Sequence, residues 1–305
     1  MREHRSHGLN YAEGPPTGPP LVLLHGGAWR WQAFQTLLAG LSTRWHLYAL
    51  DLPGHGRSDR TPGRYHVRHF ADEVARFLEE VVAEPAALVG HSVGGVVAMM
   101  AADRVPRGVS ALVLEDACVE MGAYRDIVQS NRGLYVSWRD LAASGKSGWE
   151  LLKDLREVPV ELPGGGPTVR LEEAPGATDD WLLFMAGCLE HLDPEFLTTL
   201  LEDFDDFTAG YDPEGSLRRA ACPVLLVRGE PALGAVLTDG ELERARALHP
   251  RLAVAHIPEV GHELHMGRAE PVLRAMANFL DFALTPGRKA RPLVSAPAGR
   301  PGGSS

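Results

Sequence analysis

A serine between two glycines is the strongest chemical feature of this sequence. Residues 90–94 (GHSVG) fit the pattern G-x-S-x-G, a short apolar run precedes them, and a long apolar segment that predicts a helix follows them. A sharp strand-to-helix turn of this kind strains the serine backbone and lifts the hydroxyl clear of the sheet. We therefore predict that Ser92 is a nucleophile and that the N–H of Val93 points at the substrate oxygen.

Two further segments supply partners for such a serine. The run HGG at 25–27 follows an apolar stretch, and its glycines permit close backbone approach, so the N–H of Gly27 is the second predicted oxyanion donor. His262 follows Gly261 between the last predicted strand and the last predicted helix. A serine hydroxyl is a poor nucleophile without an adjacent base, and His262 is the histidine predicted to act as that base.

The elements that must position these residues alternate along the chain. Continuous apolar runs of four to seven residues predict buried strands, and apolar spacing of three and four residues predicts helices. This alternation indicates an α/β fold with a mainly parallel sheet covered on both faces. The predicted strands are 21–24, 45–50, 86–89, 109–115, 222–227 and 252–257, and the predicted helices are 66–82, 93–104 and 271–284.

The alternation stops after Asp116 and resumes near Cys222. The intervening pattern is helical, so residues 117–216 are predicted to form a helical cap inserted between two strands of the sheet. Residues 8–116 and 217–284 would form the core, and such insertions commonly shape substrate access. The stretch 285–305 is rich in Pro, Gly, Ser and Ala and is predicted to be a disordered tail.

Four motifs together resemble the α/β-hydrolase superfamily. They are HGG at 25–27, DLPGHGRS at 51–58, GHSVGG at 90–95 and GH at 261–262. The resemblance covers residues 8–284, the cap matching only in position, and it is strongest to the branch of capped serine esterases, C–C hydrolases and haloperoxidase-like enzymes. It implies the α/β-hydrolase fold, a Ser-His-acid catalytic triad, an oxyanion hole and no cofactor. A serine at the nucleophile turn argues against the superfamily's dehalogenases and epoxide hydrolases, which carry aspartate there.

The carboxylate that would orient His262 departs from the superfamily's usual pattern. In most relatives it follows the strand predicted here at 222–227, but Pro231 and Ala232 occupy those positions. Asp116, at the end of the strand after the nucleophile helix, is the first candidate, although it could instead cap the first cap helix. The alternative acid is Glu230. Asp239 is third, because it is better explained as the cap of a helix beginning at Glu241.

The amino-acid composition limits the classes of partner that this protein could bind. The formal net charge is −10 and no basic stripe is present, which argues against nucleic acid. Three cysteines suit a reducing compartment, and the first residues lack the apolar core of a signal peptide. With no apolar run near 18 residues, we expect a cytoplasmic protein that does not bind membranes, as a monomer or homodimer. The run HELH at 262–265 is one residue short of the zinc motif H-E-x-x-H, so no metal is expected.

The predicted activity is hydrolysis of a small or medium carboxylic ester, thioester or lactone through an acyl-enzyme. Two alternatives remain open: a C–C bond hydrolase or lyase using the same site, and a non-catalytic ligand-binding member. Aromatic side chains could line an apolar pocket under the cap for the small-molecule substrate, or each could equally belong to the ordinary core. The candidates for that lining are Trp29, Trp138, Trp149, Trp181 and Phe184.

Overall fold

The centre of the molecule is an eight-stranded sheet. The structure is a computed structural model, and it describes residues 1–162 and 165–284. The strand order is β1-β2-β4-β3-β5-β6-β9-β10; the first two strands pair antiparallel and the other six run parallel. These strands are β1 (Arg2–Ser6), β2 (Leu9–Glu13), β3 (Pro20–Leu24), β4 (His46–Leu50), β5 (Ala86–His91), β6 (Val109–Glu115), β9 (Val224–Arg228) and β10 (Ala253–His256).

Helices cover both faces of this sheet. Successive strand residues point to opposite faces, so Leu21 and Leu23 of β3 join one apolar core while Val22 and Leu24 join the other. The first core lies under α1 and α13, and the second lies under α2, α3 and the helices between β6 and β9. The helices of the sheet region are α1 (Gln35–Leu41), α2 (Val67–Phe77), α3 (Val93–Arg104), α11 (Asp239–Leu248), α12 (Leu264–Gly267) and α13 (Ala269–Ala283).

Between β6 and β9 the chain leaves the sheet. The described part of this segment is mostly helical, and a short antiparallel hairpin of β7 (Pro159–Glu161) and β8 (Thr168–Arg170) interrupts it. This is the segment predicted to form the cap. Its helices are α4 (Met121–Ser130), α5 (Arg132–Ala143), α6 (Gly148–Arg156), α7 (Asp179–Leu189), α8 (Pro194–Glu202), α9 (Phe204–Phe207) and α10 (Pro213–Arg219).

The predicted α/β architecture with a mainly parallel sheet is confirmed. The helix at 93–104 and the strand at 109–115 have the predicted bounds, and the strand predicted at 222–227 is shifted to Val224–Arg228. The helix predicted at 66–82 ends earlier as an α-helix, because its last residues form a π-helical turn closed by Ala83 at φ +56°. The hairpin of β1 and β2 was not predicted. The predicted tail, 285–305, lies outside the described residues.

Candidate active site

Ser92 occupies the turn between β5 and α3. Its φ of +53° and ψ of −121° are strained for a residue with a side chain. The glycines on either side are required by close packing: a Cβ on Gly90 would lie 2.3 Å from the carbonyl oxygen of Gly94, and a Cβ on Gly94 would lie 2.1 Å from that of Leu24. The turn therefore has the sharp geometry that the G-x-S-x-G pattern predicts.

The end of strand β6 lies directly beside this turn. The N–H of Ser92 donates to the carbonyl oxygen of Glu115 at 3.0 Å, and the next residue is Asp116. Asp116 has a φ of +43°, and its N–H donates to the carbonyl oxygen of Val227 on β9 at 2.8 Å. Backbone contacts on both sides thus fix the position from which the Asp116 side chain departs.

Asp116 and His262 form a hydrogen-bonded pair. Oδ2 of Asp116 lies 2.8 Å from Nδ1 of His262 and also accepts the N–H of Val236 at 2.8 Å, while Oδ1 accepts the N–H of Leu237 at 3.1 Å. The carboxylate is fully buried. Burial acts to lower the pKa of His262, but the hydrogen bond and charge of Asp116, together with the charges of Glu263 and Glu115, raise the pKa above its ordinary value of 6.5.

The other two predicted acids are engaged elsewhere. The Glu230 carboxylate accepts the N–H of Glu259 at 2.9 Å, and the Asp239 carboxylate pairs with Arg228. Asp239 does not cap its helix as expected; α11 begins at Asp239, and the Thr238 side chain caps it by accepting from its third residue. Asp116 does not cap the first cap helix either, since α4 has Glu120 at that position. Of the three candidates, Asp116 is the one that the fold brings to His262.

His91 links the nucleophile turn to the loop that carries His262. Its Nε2 lies 2.9 Å from the carbonyl oxygen of His262, and the two rings are 4.6 Å apart. On its other side it stacks on Trp29 at 4.6 Å with only 8° between the planes. Burial, and then the neighbouring histidines His262 and His265, hold the pKa of His91 well below its ordinary value, so the ring is neutral and donates from Nε2.

The predicted oxyanion donors lie next to each other. A Cβ on Gly27 would lie 3.3 Å from Cγ2 of Val93 and 3.2 Å from Cζ of Phe196 on α8. Within residues 1–162 and 165–284, no hydrogen bond occupies the N–H of Gly27 or of Val93. The segment 51–58 fixes the loop after Gly27, because Nε2 of His55 accepts the N–H of Ala28 at 3.2 Å. The residues that carry these two donors are therefore neighbours at the turn of Ser92.

Ser92 and His262 are close neighbours through these contacts, but they are not bonded to each other. In the part of the chain that the structure describes, no hydrogen bond joins the Ser92 hydroxyl to the imidazole. Such contacts between nucleophile and base are often long in unliganded sites and tighten only when substrate binds. The arrangement is thus a paired His-Asp unit beside a strained serine.

The aromatic side chains predicted to line a pocket have different environments. The rings of Phe184 on α7 and Trp29 pack edge to face at 6.1 Å, so α7 reaches the loop of Trp29. Trp138 of α5 is buried, and Trp181 is partly buried. Trp149 is 72% exposed and is therefore not a core residue. Its place on the outer surface of α6 could not be predicted from residue type.

The segment 51–58 supports the site from below. The buried Asp51 carboxylate accepts the N–H groups of Trp31 and Arg57 and the side-chain amide of Asn10, each within 2.9 Å. His25 accepts the N–H of Leu52 at 3.0 Å through Nε2. Burial lowers the pKa of His25 to about 4, so this imidazole is a neutral structural acceptor near pH 7.

A second buried pair was missed by the sequence prediction. Nδ1 of His265 lies 2.8 and 2.9 Å from the two oxygens of Glu115, and both side chains are fully buried. The sequence signals that could have found this pair are the glutamate at the end of an apolar strand and the second histidine of HELH. Among the described residues there is no cluster of three or more His, Cys, Asp or Glu that could hold a metal ion.

The part of the chain that the structure describes contains no helix with the length and apolar character needed to cross a membrane. The Cys118 and Cys188 side chains are buried and free, and burial raises the pKa of both thiols.

Comparisons with known proteins find hydrolases among the relatives of this chain. The model of the family described as the alpha/beta hydrolase fold matches residues 19–152. The chain is 26% identical to 2-(acetamidomethylene)succinate hydrolase of Mesorhizobium japonicum, over 87% of this chain and 89% of that protein. It is 26% identical to the pimeloyl-[acyl-carrier protein] methyl ester esterase of Chromobacterium violaceum, over 87% and 95%.

A solved structure shows the same overall fold. The thermophilic esterase from Thermogutta terrifontis superimposes with a TM-score of 0.67 at 20% identity, over 91% of this chain and 94% of that one. At this identity the likeness concerns the fold alone. The nucleophile turn and both predicted oxyanion donors lie within the segment that the family model matches, whereas Asp116 is the one member of the His-Asp pair inside it.

Proposed function

We propose that this chain, which has the α/β-hydrolase fold, is a hydrolase that cleaves a carboxylic ester, thioester or lactone of small or medium size through an acyl-enzyme on Ser92. The observation that carries the proposal is the Asp116–His262 hydrogen bond of 2.8 Å beside a serine held at φ +53°. A base oriented by a carboxylate next to a strained serine is the arrangement that nucleophilic acyl transfer needs.

The reaction would proceed in two halves. Ser92 Oγ attacks the substrate carbonyl carbon while Nε2 of His262 accepts the hydroxyl proton. The N–H groups of Gly27 and Val93 stabilise the resulting oxyanion, and collapse of the tetrahedral intermediate expels the leaving group, which takes the proton from His262. Water then attacks the acyl-enzyme, His262 accepts its proton, and Ser92 leaves with that proton restored.

Asp116 serves as the acid of this proposed triad. Its hydrogen bond to Nδ1 fixes the imidazole tautomer that leaves Nε2 free to accept a proton, and its charge stabilises the imidazolium. The N–H donors of Val236 and Leu237 hold the carboxylate in place, which supports this role over the alternative acid Glu230.

The substrate would bind between the nucleophile turn and the helices of residues 117–216. Phe184 and Phe196 reach the loop of Gly27 and Trp29 from α7 and α8, so the acyl group would meet an apolar wall. The chain would need no cofactor, because serine, imidazole and backbone N–H groups suffice for this chemistry. The sparse, unpaired cysteines support the further prediction of a cytoplasmic enzyme.

Labelling with a fluorophosphonate probe tests the proposal directly. The unmodified chain should form a covalent adduct that Ser92→Ala and His262→Ala both abolish. Ser137→Ala and His256→Ala are the matched controls and should label normally, since the Ser137 hydroxyl donates to the carbonyl oxygen of Gly133 in its own helix and the His256 side chain is exposed. The same five proteins should rank identically in hydrolysis of p-nitrophenyl acetate. A folded unmodified chain that neither labels nor hydrolyses the ester would refute the serine mechanism.

A further inference from the structure

Two consecutive carboxylates at the end of β6 each hold one histidine of the same loop. Asp116 binds His262, and Glu115 binds His265, which lies three residues further along the chain. The second pair has one more close contact than the first, because Nδ1 of His265 lies within 2.9 Å of both Glu115 oxygens. Both members of the second pair are fully buried, so water screens their attraction little.

His265 is fixed through its backbone as well as its ring. Its N–H donates to the Glu115 carboxylate at 2.9 Å, and its carbonyl oxygen accepts the hydroxyl of Thr36 at 2.7 Å. The ring stacks on Phe34 at 4.9 Å, and Trp29 packs edge-on against it at 6.0 Å. Only two residues separate this anchor from His262, so the position of His265 restricts where the predicted base can lie.

The same carboxylate residue also contacts the nucleophile turn. The backbone carbonyl of Glu115 accepts the N–H of Ser92, while its side chain holds His265. One residue therefore connects the strained serine to the loop of the base. His91 adds a second connection from the turn to the carbonyl oxygen of His262.

A buried pair of a carboxylate and an imidazole is an unusual choice for a purely structural anchor. Well-packed apolar side chains of similar volume generally stabilise a fold as well or better, because they avoid the desolvation of two polar groups. The Glu115 charge acts on His262 in the direction that favours its protonated form, after the larger effects of Asp116 and Glu263. Placing a carboxylate here supplies both an anchor and a charge.

We propose that Glu115 and His265 form a positioning pair that holds His262 in register with Ser92 and Asp116. The inference rests on the proposed role of His262 as the general base. Neither residue touches the substrate; both act through the 262–265 loop. A base displaced by about 1 Å can lose on the order of 10²-fold in rate, so removing this anchor should be visible in turnover.

Three variants distinguish an effect on the placement of His262 from an effect on folding. Glu115→Gln keeps the shape but removes the charge and one strong acceptor, and His265→Leu removes the donor to Glu115. His265→Asn places an amide N–H where Nδ1 stands, so it should restore part of the anchor. Circular dichroism and thermal unfolding establish which proteins are folded, and fluorophosphonate labelling shows whether Ser92 is reactive at all.

The deciding measurement is kcat/KM for p-nitrophenyl acetate as a function of pH. The plateau, where His262 is fully neutral, reports its placement, and the acidic limb reports its pKa. Glu263→Gln is the matched control, because it removes a charge near His262 without touching either carboxylate–histidine pair. The titratable groups around His262 are Asp116 and Glu115 at the end of β6, Glu263 and His265 of its own loop, and His91 of the nucleophile turn.

We expect plateaus lowered about tenfold or more in Glu115→Gln and His265→Leu, a partial recovery in His265→Asn, and an unchanged plateau in Glu263→Gln. If the Glu115→Gln and His265→Asn proteins are folded and their kcat/KM plateaus equal that of the unmodified protein, the positioning role is overturned. If His265→Leu does not fold, the other two variants carry the test, and loss of folding in all three would show a structural pair and overturn it as well. A chain unable to label at Ser92 would instead refute the proposed hydrolase mechanism.

Discussion

The carboxylate of Asp116 lies 2.8 Å from Nδ1 of His262, although the two residues are 146 positions apart in the chain. The contact exists because β6 and β9 are neighbours in the sheet, so the end of β6 opens towards the loops that follow the later strands. Val236 and Leu237, from the segment after β9, donate their N–H groups to the same carboxylate. The buried anion thus has three donors, as a buried charge requires.

Asp116→Asn should lower kcat by about 10⁴-fold while leaving the fold intact. An amide at this position can donate to Nδ1 and so stabilise the imidazole tautomer that cannot accept the serine proton. Burst kinetics with p-nitrophenyl acetate would measure the loss. Glu230→Gln is the control, since its carboxylate contacts the N–H of Glu259 instead, and it should retain nearly full activity. Equal losses in the two variants would contradict the assignment of Asp116.

The acidic limb of kcat/KM should report His262. A general base must be neutral to accept a proton, so activity is present above its pKa and is lost as the pH falls through it. Because Asp116 raises this pKa above 6.5, activity should already decline at pH values where an unperturbed histidine would still be mostly neutral. In Asp116→Asn the limb should move to lower pH. A limb that is identical in both proteins would exclude Asp116 as the cause.

Most of the buried strands could be predicted from the sequence, because each is an apolar run bounded by glycine or charged residues. The bounds of β6 and α3 were predicted without error. The β1–β2 hairpin was missed, since β1 (REHRS) is an exposed edge strand whose stability comes from backbone pairing with β2 rather than from apolar side chains. The acid stayed open for a related reason: sequence shows which strands end in a carboxylate, but not which amide donors will surround it.

The HELH segment at 262–265 also shows that local sequence does not reveal the partners of a side chain in the fold. Its two histidines suggested a metal motif, yet they bind separate carboxylates that are adjacent on β6. Spacing along one segment cannot reveal that a second segment presents matching partners. The structure pairs two short motifs, LED at 114–116 and HELH at 262–265, and the proposed positioning role rests on this pairing.

Gly94→Ala should destabilise the protein by about 1–3 kcal/mol or more, because its Cβ would lie 2.1 Å from a backbone oxygen that cannot move without disturbing β3. Urea unfolding monitored by fluorescence would measure the change. Gly122→Ala on α4 is the matched control: a Cβ there meets nothing within 4 Å, so the better helix propensity of alanine should leave stability equal or slightly higher. Unchanged stability in Gly94→Ala would show that the turn is not sterically closed.

His25 should make the fold sensitive to acid. Burial lowers its pKa to about 4, whereas in the unfolded chain it would be near 6.5. Below pH 6.5 His25 binds a proton in the unfolded chain but not in the folded protein. The stability that is fully present above pH 6.5 therefore falls as the pH drops towards 4. The loss approaches about 1.4 kcal/mol per pH unit within this window.

Replacing His25 with glutamine isolates this contribution. Oε1 of glutamine can still accept the N–H of Leu52, but it does not titrate. Urea unfolding of both proteins at pH 7, 6 and 5 should show the variant losing less stability per pH unit, even if it is less stable at pH 7. Other acid-sensitive groups act equally in the two proteins and cancel in the difference. Parallel stability curves would mean that His25 becomes protonated in the folded protein as easily as in the unfolded chain.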